Sequence, residues 1–330
     1  MKRTANSLEV VFMKQAIDTR IAKPFRDVIV REVGPRDGLQ LVKNFVPTQI
    51  KKEWISRQAT LGFCNIEVTS FVPPKLLPQF SDAAEITAYA NTIEDLTASA
   101  LVLNVKGAQL AMEAGANKIC FVLSASETHN QSNVRCSTDQ SLEMFKEINS
   151  WLHEHHPEVF LAAALATTFG CSLQGDVSES RVCELALQLA ESGAREIVLA
   201  DTVGYANPRQ VQNIFKMARE EIADVPLAAH FHDTRGMGLA NVVAALEAEV
   251  RVFDTALGGL GGCPFAPGAT GNIATEDTVH LLEAMGMSTG IDLDGLLELR
   301  EKLGCWLPEE ELHGKMAKAK PAINFKRNNA

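Results

Sequence analysis

The chain has no CxxC pair. Its seven cysteines, at positions 64, 120, 136, 171, 183, 263 and 305, are scattered and odd in number. They read as thiols kept in a reducing compartment, most of them in apolar surroundings, rather than as a disulfide framework. No apolar run approaches the length that spans a bilayer. The stretch Met1–Arg20 is mixed polar and lacks the continuous apolar core of a secretory signal. Dense Lys/Arg patches are missing too, and the net charge of -10 with a pI near 5.4 argues against a nucleic-acid partner. Long low-complexity tracts are absent. The expectation is a folded cytoplasmic protein with neither membrane nor nucleic acid as partner. Its 330 residues, 46% hydrophobic and 22% charged, suffice for one large core or two small ones. An anionic small substrate would need local positive charge against this balance. Arg36, Lys43, Lys75 and Lys106, each after an apolar stretch or a Pro-rich turn, are the candidates.

Short strand-like runs alternate with amphipathic helical stretches. Strands are expected at Val28–Val33, Ile66–Ser70, Ala98–Leu103, Lys118–Leu123, Val159–Leu165, Glu196–Asp201, Leu227–His232 and Arg251–Ala256. Several are apolar on both faces, as buried parallel strands are. Between them, Ser137 with Gln140 three residues on forms a capping-box signal, followed by Leu142, Phe145, Ile148 and Leu152 on one face. A second helix follows Asp176 and stops at Gly193. Three times a helix ends on glycine with a strand soon after: Gly62-Phe63-Cys64-Asn65-Ile66, Gly115-Ala116-Asn117-Lys118-Ile119 and Gly193-Ala194-Arg195-Glu196-Ile197. Eight such units predict an α/β fold, a (β/α)8 TIM barrel with a short C-terminal helical extension. A doubly wound open sheet is the alternative, but no dinucleotide-binding glycine fingerprint follows the first strand. The expected division is an N-terminal extension over 1–25, a barrel over 26–290, and a C-terminal segment over 291–330 with a helix at Leu293–Leu303 and a polar tail from Lys315.

In a barrel the chemistry sits at the C-terminal ends of the strands. Polar residues gather there. Arg36 and Asp37 follow strand one, and Glu67 lies in strand two. Asp201 and Thr202 end strand six, and His230 and His232 end strand seven. Residues two apart on a strand face one way, roughly 6.5–7 Å from each other, so His230-Phe231-His232 presents two converging imidazoles. Taken alone, the pair also fits two hydrogen-bonded core histidines. With Asp37 and Asn272 it becomes a set of two nitrogens, a carboxylate and an amide oxygen. That set suits six-coordinate Mg2+, Mn2+ or Co2+ better than tetrahedral Zn2+. Arg36, beside the carboxylate ligand, could hold an enolate or a carboxylate, or simply pair with Glu67. The loop Gly258-Gly259-Leu260-Gly261-Gly262-Cys263-Pro264 lacks the Lys-Ser/Thr of a phosphate cradle and reads as a loop presenting Cys263 to the barrel mouth. His153, His155 and His156, around Glu154, read as a solvated helix end. His129 and Asn130 are expected in the loop after strand four, facing the mouth.

These segments resemble the 3-hydroxy-3-methylglutaryl-CoA lyase family of metal-dependent TIM-barrel lyases. The match runs from about residue 26 to 300. It rests on Glu32–Gln40, Glu67–Lys75, Asn104–Gly107, Ala125–Glu127, Asp201–Gly204 and His230–Thr234. The glycine loop Gly259–Phe265 with Gly268–Asn272 completes it and is the most specific piece. The resemblance implies metal-assisted C–C cleavage of a 3-hydroxyacyl-CoA. The metal set would be Asp37, His230, His232 and Asn272, and the catalytic set Arg36, Asp37, Glu67, Cys263 and His230. Arg36 would stabilise the thioester enolate, Glu67 would orient Arg36, and Cys263 would move a proton or shield the closed site. Substrate contacts would fall to Arg36, Gln40, Lys43, Asn133 and Thr202, with Lys43 toward the pantetheine side. A divalent ion, an acyl-CoA substrate and a homodimer are the implied cofactor and partners.

Three places depart from the family. Along strand five the family carries Arg-Gly-Tyr-x-Ser-Cys, and here Ala162-Ala163-Ala164-Leu165-Ala166-Thr167 stands instead. Val198-Leu199-Ala200-Asp201 replaces Ser-Leu-Gly-Asp, and Thr234-Arg235-Gly236-Met237 replaces Thr-Tyr-Gly-Gln. Lost hydroxyls change which substrate groups a pocket satisfies. The same chemistry on a more apolar hydroxyacyl thioester therefore stands beside the methylglutaryl reading. A Claisen-type condensing enzyme and a catalytically silent binding barrel are the further alternatives.

Overall fold

Stretches rich in Val, Ile, Leu and Ala form eight strands: β1 Ile29–Glu32, β2 Asn65–Ser70, β3 Thr97–Val102, β4 Lys118–Ser124, β5 Phe160–Ala166, β6 Glu196–Asp201, β7 Leu227–Phe231 and β8 Val252–Thr255. Each lies within one residue of its expected ends. The structure, a computed structural model, describes residues 26–222, 225–262, 271–323 and 325. Each strand pairs in parallel with the next, and β8 closes on β1 in the register Ile29↔Val252 to Glu32↔Thr255. The result is the expected closed barrel, with a helix after nearly every strand. No helix among the described residues is long and apolar enough to cross a membrane.

Local signals explain the helices. Ser137 accepts from the Gln140 backbone while the Gln140 side chain accepts from the Ser137 backbone, so the helix Thr138–His155 starts on a complete capping box. Its stripe Leu142, Phe145, Ile148 and Leu152 is buried. The helix expected after Asp176 begins at Glu179, and Gly193 beyond its end takes φ +95°. Gly62 and Gly115 hold the same left-handed position, which costs a residue with a Cβ far more than it costs glycine.

The C-terminal helix runs on to Trp306. The start of the polar tail is anchored, because buried acceptors draw Lys315 and Met316 back. The Lys315 and Met316 amides donate to Asp277, and the His313 amide donates to the Gly258 carbonyl. Leu293, Leu296, Leu299 and Leu303 join the same apolar core as the barrel helices. The extension 1–25 lies outside the described residues.

Glu32, on the outer face of β1, ties three segments together. Its carboxyl accepts from the Gly34 and Leu257 amides at 2.9 Å and lies 2.8 Å from Thr275 Oγ1. Burial raises its pKa to about 7, against those bonds, which lower it, and with a smaller upward push from Glu276. Thr275 Oγ1 donates to the Glu32 carboxyl and lies 2.9 Å from Thr255 Oγ1. The folded pKa lies above the ordinary value of 4.5. Stability from this group is therefore fully present below that value, falls as pH rises toward about 7, and levels off above it. In thermal melts, Glu32→Gln is expected to lose less stability than the parent between about pH 5 and pH 7.5. Glu276, shifted in the same direction by burial, leaves a residual slope in both. Equal slopes for the two proteins would remove Glu32 as the source.

Candidate active site

A wide turn after β1, Gly34–Gly38, opens with three amides in succession directed at the Val33 carbonyl. Such π-type turns are common at functional sites. This one swings Arg36 and Asp37 over the barrel mouth. Opposite them, His230 in β7 and His232 just beyond it share the inward face, with ring centroids 5.2 Å apart. The returning segment after the glycine loop bridges to the end of β7, His232 against Asn272, which puts the Asn272 amide beside the rings. Gly261 passes between, at φ +114°. A Cβ there would lie 2.8 Å from Asn272 Nδ2 and 3.2 Å from the Gly38 Cα, so only glycine lets the loop and the Asp37 turn approach this closely.

Asp37 joins these parts. Its Oδ1 accepts from Arg36 at 2.8 Å and from Gln40 at 3.1 Å, and its Oδ2 accepts from Asn272 Nδ2 at 2.7 Å. His230 Nε2 and His232 Nε2 stand 4.0 and 3.9 Å from that same Oδ2. Those separations are too long for hydrogen bonds. They are of the order found between ligands that share one cation at roughly 2.0–2.2 Å from each. Asp37, His230 and His232 offer ligand atoms within 4.8 Å of one another, all from buried residues. The amide of Asn272 supplies a test of fit. Its Nδ2 faces two acceptors, the Asp37 carboxylate and the Leu260 carbonyl, so its orientation is fixed. Its Oδ1 is buried and has no partner. A buried acceptor left unmatched costs about 1–3 kcal/mol, and an oxygen donor at this spot is what a hard divalent cation takes. The donor set fits such an ion.

Burial opposes the charge on Asp37, but Arg36 and the two histidines outweigh it and hold the carboxyl well below its usual range. Arg36 also donates from Nε to Glu67 at 2.5 Å. Burial pushes Glu67 up, and Arg36 counters part of that push. The guanidinium, despite its own burial, is kept charged by Glu67 and Asp37. The pairing expected between Arg36 and Glu67 is therefore present, inside a site that Arg36 also lines.

A cavity of about 600 Å³ opens from this cluster to the mouth. It is lined by Arg36, Asp37, His230 and His232, and also by the expected residues Gln40, Asn133 and Thr202. Thr202 Oγ1 accepts from the Thr167 amide at 2.8 Å, and Thr167 sits at φ +57°, a strained setting for a β-branched residue. Lys43, Lys75 and Lys106 are exposed and do not line the cavity. His129 and Asn130 lie in a helix, Glu127–Val134, rather than a loop. His129 does line the cavity. Asn130 instead bonds the Ser124 amide, the Cys136 carbonyl and Ser141, because a buried amide must satisfy both ends. Asp201 turns its carboxylate to the Tyr205 and Ala206 amides and so fixes the loop after β6. His153 and His155 are exposed, as a solvated helix end should be. Cys263 lies outside the described residues.

Sequence reasoning missed a second buried charge cluster directly under the first. Arg31, Asp254 and His230 stand side by side in register on β1, β8 and β7. His230 Nδ1 lies 3.3 Å from Asp254 Oδ2, and Arg31 donates to Asp254 at 2.5 Å and to Glu196 at 2.6 Å. Lys118 donates to Glu196 at 3.1 Å. Burial opposes both carboxylates, yet Arg31 outweighs it at each, aided at Glu196 by Lys118, and both end at about 2. The available signal was a charged residue within each otherwise apolar strand run. With Asp254 on Nδ1, the Nε2 of His230 is left to face the centre, the arrangement in which an outer carboxylate orients a metal-binding imidazole.

A family profile described as HMGL-like matches residues 27–303. The chain is 42% identical over 291 residues to the hydroxymethylglutaryl-CoA lyase of Bacillus subtilis, covering 87% of this chain and 97% of that one. It is 38% identical over 292 residues to the cytoplasmic 3-hydroxy-3-methylglutaryl-CoA lyase of Rattus norvegicus, covering 88% and 84%. Among solved structures, an HMG-CoA lyase of Acinetobacter baumannii in complex with coenzyme A and 3-methylmalate superposes with a TM-score of 0.85 at 43% identity, covering 92% of this chain and 99% of that one.

Replacing the carboxylate behind His230 tests the lower cluster. Asp254→Asn is expected to weaken Mn2+ binding about 10–100-fold in calorimetric titration. The melting temperature should also drop, since Arg31 loses one of two buried counter-charges. Unchanged affinity in a folded variant would separate Asp254 from the cation site.

Proposed function

The chain belongs to the HMGL-like family, and from that premise we propose that it is a carbon–carbon lyase that cleaves 3-hydroxy-3-methylglutaryl-CoA to acetoacetate and acetyl-CoA with a divalent metal ion. The observation that carries this reading is the buried Asp37, His230 and His232 cluster with its spare Asn272 oxygen, beside a guanidinium gripped by two carboxylates. The solved relative that holds coenzyme A supports an acyl-CoA substrate.

In this reading Asp37, His230, His232 and Asn272 hold the ion, Mg2+ or Mn2+, with Co2+ able to replace them. When bound, the ion supplies Lewis acidity toward the substrate's tertiary hydroxyl and carboxylate and lowers the hydroxyl pKa. The hydroxyl gives up its proton to a water in the open mouth of the cavity, and the bond between C2 and C3 breaks. C3 becomes the ketone carbon of acetoacetate, and the electron pair goes to the thioester arm as an enolate. Arg36 faces that developing charge. Glu67 and Asp37 already fix its orientation, so little reorganisation accompanies the step. The enolate carbon then takes up a proton, balancing the one lost from oxygen. Cys263 is the proposed donor, or the shield that keeps water out while transfer occurs. Gln40, Thr202 and Asn133 contact the remaining polar groups of the substrate, with Lys43 toward the pantetheine. A homodimer and a cytoplasmic setting belong to the same proposal and rest on the family resemblance.

Chelator-treated protein is expected to be inactive, and added Mg2+ or Mn2+ should restore equal yields of acetoacetate and acetyl-CoA. Protein with its ion bound that releases no acetoacetate would overturn the reading. Arg36→Gln should lower kcat by about 10²–10³-fold while still binding Mn2+. A near-normal kcat would take the enolate away from Arg36.

A further inference from the structure

The interior of a barrel of this kind is ordinarily filled by layers of bulky branched side chains. Here one side departs from that rule at four of its six inward positions. The inward positions of β4, β5 and β6 carry Cys120 and Val122, Ala164 and Ala166, and Val198 and Ala200, all of which line the cavity. Cys120, Val122 and Ala164 retain accessible surface although they sit in central strands. The cavity continues past the level of His230 to Arg31 and Lys118. Those two cations are matched by Asp254 and Glu196, so the floor is polar but charge-balanced. Burial raises the Cys120 thiol to about 12, with Glu67 adding to the rise, so it acts as a small apolar wall rather than a nucleophile. The opposite side of the barrel, β7, β1 and β2, holds His230, His232, Asp37, Arg36 and Glu67. The space is therefore asymmetric, with chemistry on one wall and small apolar side chains on the other.

We infer that the small-residue wall of β4–β6 forms a subsite for the C3 substituent of the 3-hydroxyacyl thioester, and that it accepts an alkyl group longer than methyl. This rests on the lyase reading above. C3 carries four groups. The hydroxyl and the carboxylate arm belong to the cation site, and the thioester arm passes Arg36 toward the mouth. The fourth substituent is left to face the open side of the barrel. Ala164, Ala200 and Val198 set the width of the subsite, and the Arg31–Lys118 floor sets its length. A balanced floor offers no free counter-charge, so the chemical class is an uncharged alkyl chain rather than a second acid.

The test uses the full-length protein loaded with Mn2+ and compares kcat/KM for 3-hydroxy-3-methylglutaryl-CoA with its 3-ethyl, 3-propyl and 3-butyl homologues. Each buried methylene is worth roughly fourfold, so kcat/KM should hold or rise along the series until the chain meets the floor. Ala164→Leu should then reduce kcat/KM for the 3-propyl homologue at least about tenfold more than for the methyl substrate, an amount within reach of one overfilled pocket. Should that variant fail to fold in a thermal melt, Ala200→Val makes the same comparison. Rejection of the ethyl homologue by more than about tenfold, with the methyl substrate turned over normally, overturns the subsite and leaves the lyase reading intact. Cleavage of the long homologues but not of the methyl compound supports the subsite and corrects the substrate. Turnover of none, with Mn2+ bound, overturns both.

Discussion

The pairing of β8 with β1 is the contact on which the site depends. Residues more than two hundred positions apart become neighbours there, and three contacts follow from one register. Arg31 meets Asp254 on the inner face, Glu32 meets the Leu257 amide and Thr275 on the outer face, and the turn just beyond β1 brings Asp37 to Asn272. None of these is local in sequence. A register slip of one residue would send Arg31 outward and Glu32 inward, which would strand buried charges on both faces at once.

The architecture was legible because its signals are local. β-branched and alanine-rich runs mark the strands, glycine marks the helix ends, and Ser137 with Gln140 marks a cap. Much of the site could also be read, since His230 and His232 share a strand face and Arg36-Asp37 follows a strand end. The lower cluster could not. Arg31, Lys118, Glu196 and Asp254 each look like a single exposed charge until closure shows that all four face inward and neutralise one another. The lysines were ambiguous for the converse reason. Nothing local says whether Lys43, Lys75 or Lys106 turns toward the mouth or out to solvent, and all three are exposed outside the cavity lining. Asn130 was misread because a buried amide serves backbone groups as readily as a ligand.

Charge at the barrel centre is stacked in two tiers. The upper tier joins Arg36 to Asp37 and Glu67 and sets the histidines around them. The lower joins Arg31 and Lys118 to Asp254 and Glu196, and Asp254 also touches His230. Buried ion pairs of this kind add little net stability, because desolvation offsets most of the attraction, but removing one partner typically costs about 3–5 kcal/mol. The consequence is rigidity. Arg36, Asp37 and His230 are each held by a charged group that cannot rotate away without exposing an unmatched charge.

The long separation in sequence between Asp37 and its neighbours also bears on how the protein is made. Asp37 leaves the ribosome early, while His230, His232 and Asn272 follow in the last third of the chain. Domains made from the N-terminus at about 5–20 residues per second wait many seconds for their final strands. Until β8 is synthesised the barrel cannot close, and an interrupted product carries Arg31 and Glu32 without the partners that bury them. Assembly of the cation cluster is thus tied to completion of the chain, because Asn272 and the β8 strand that closes the barrel are made last.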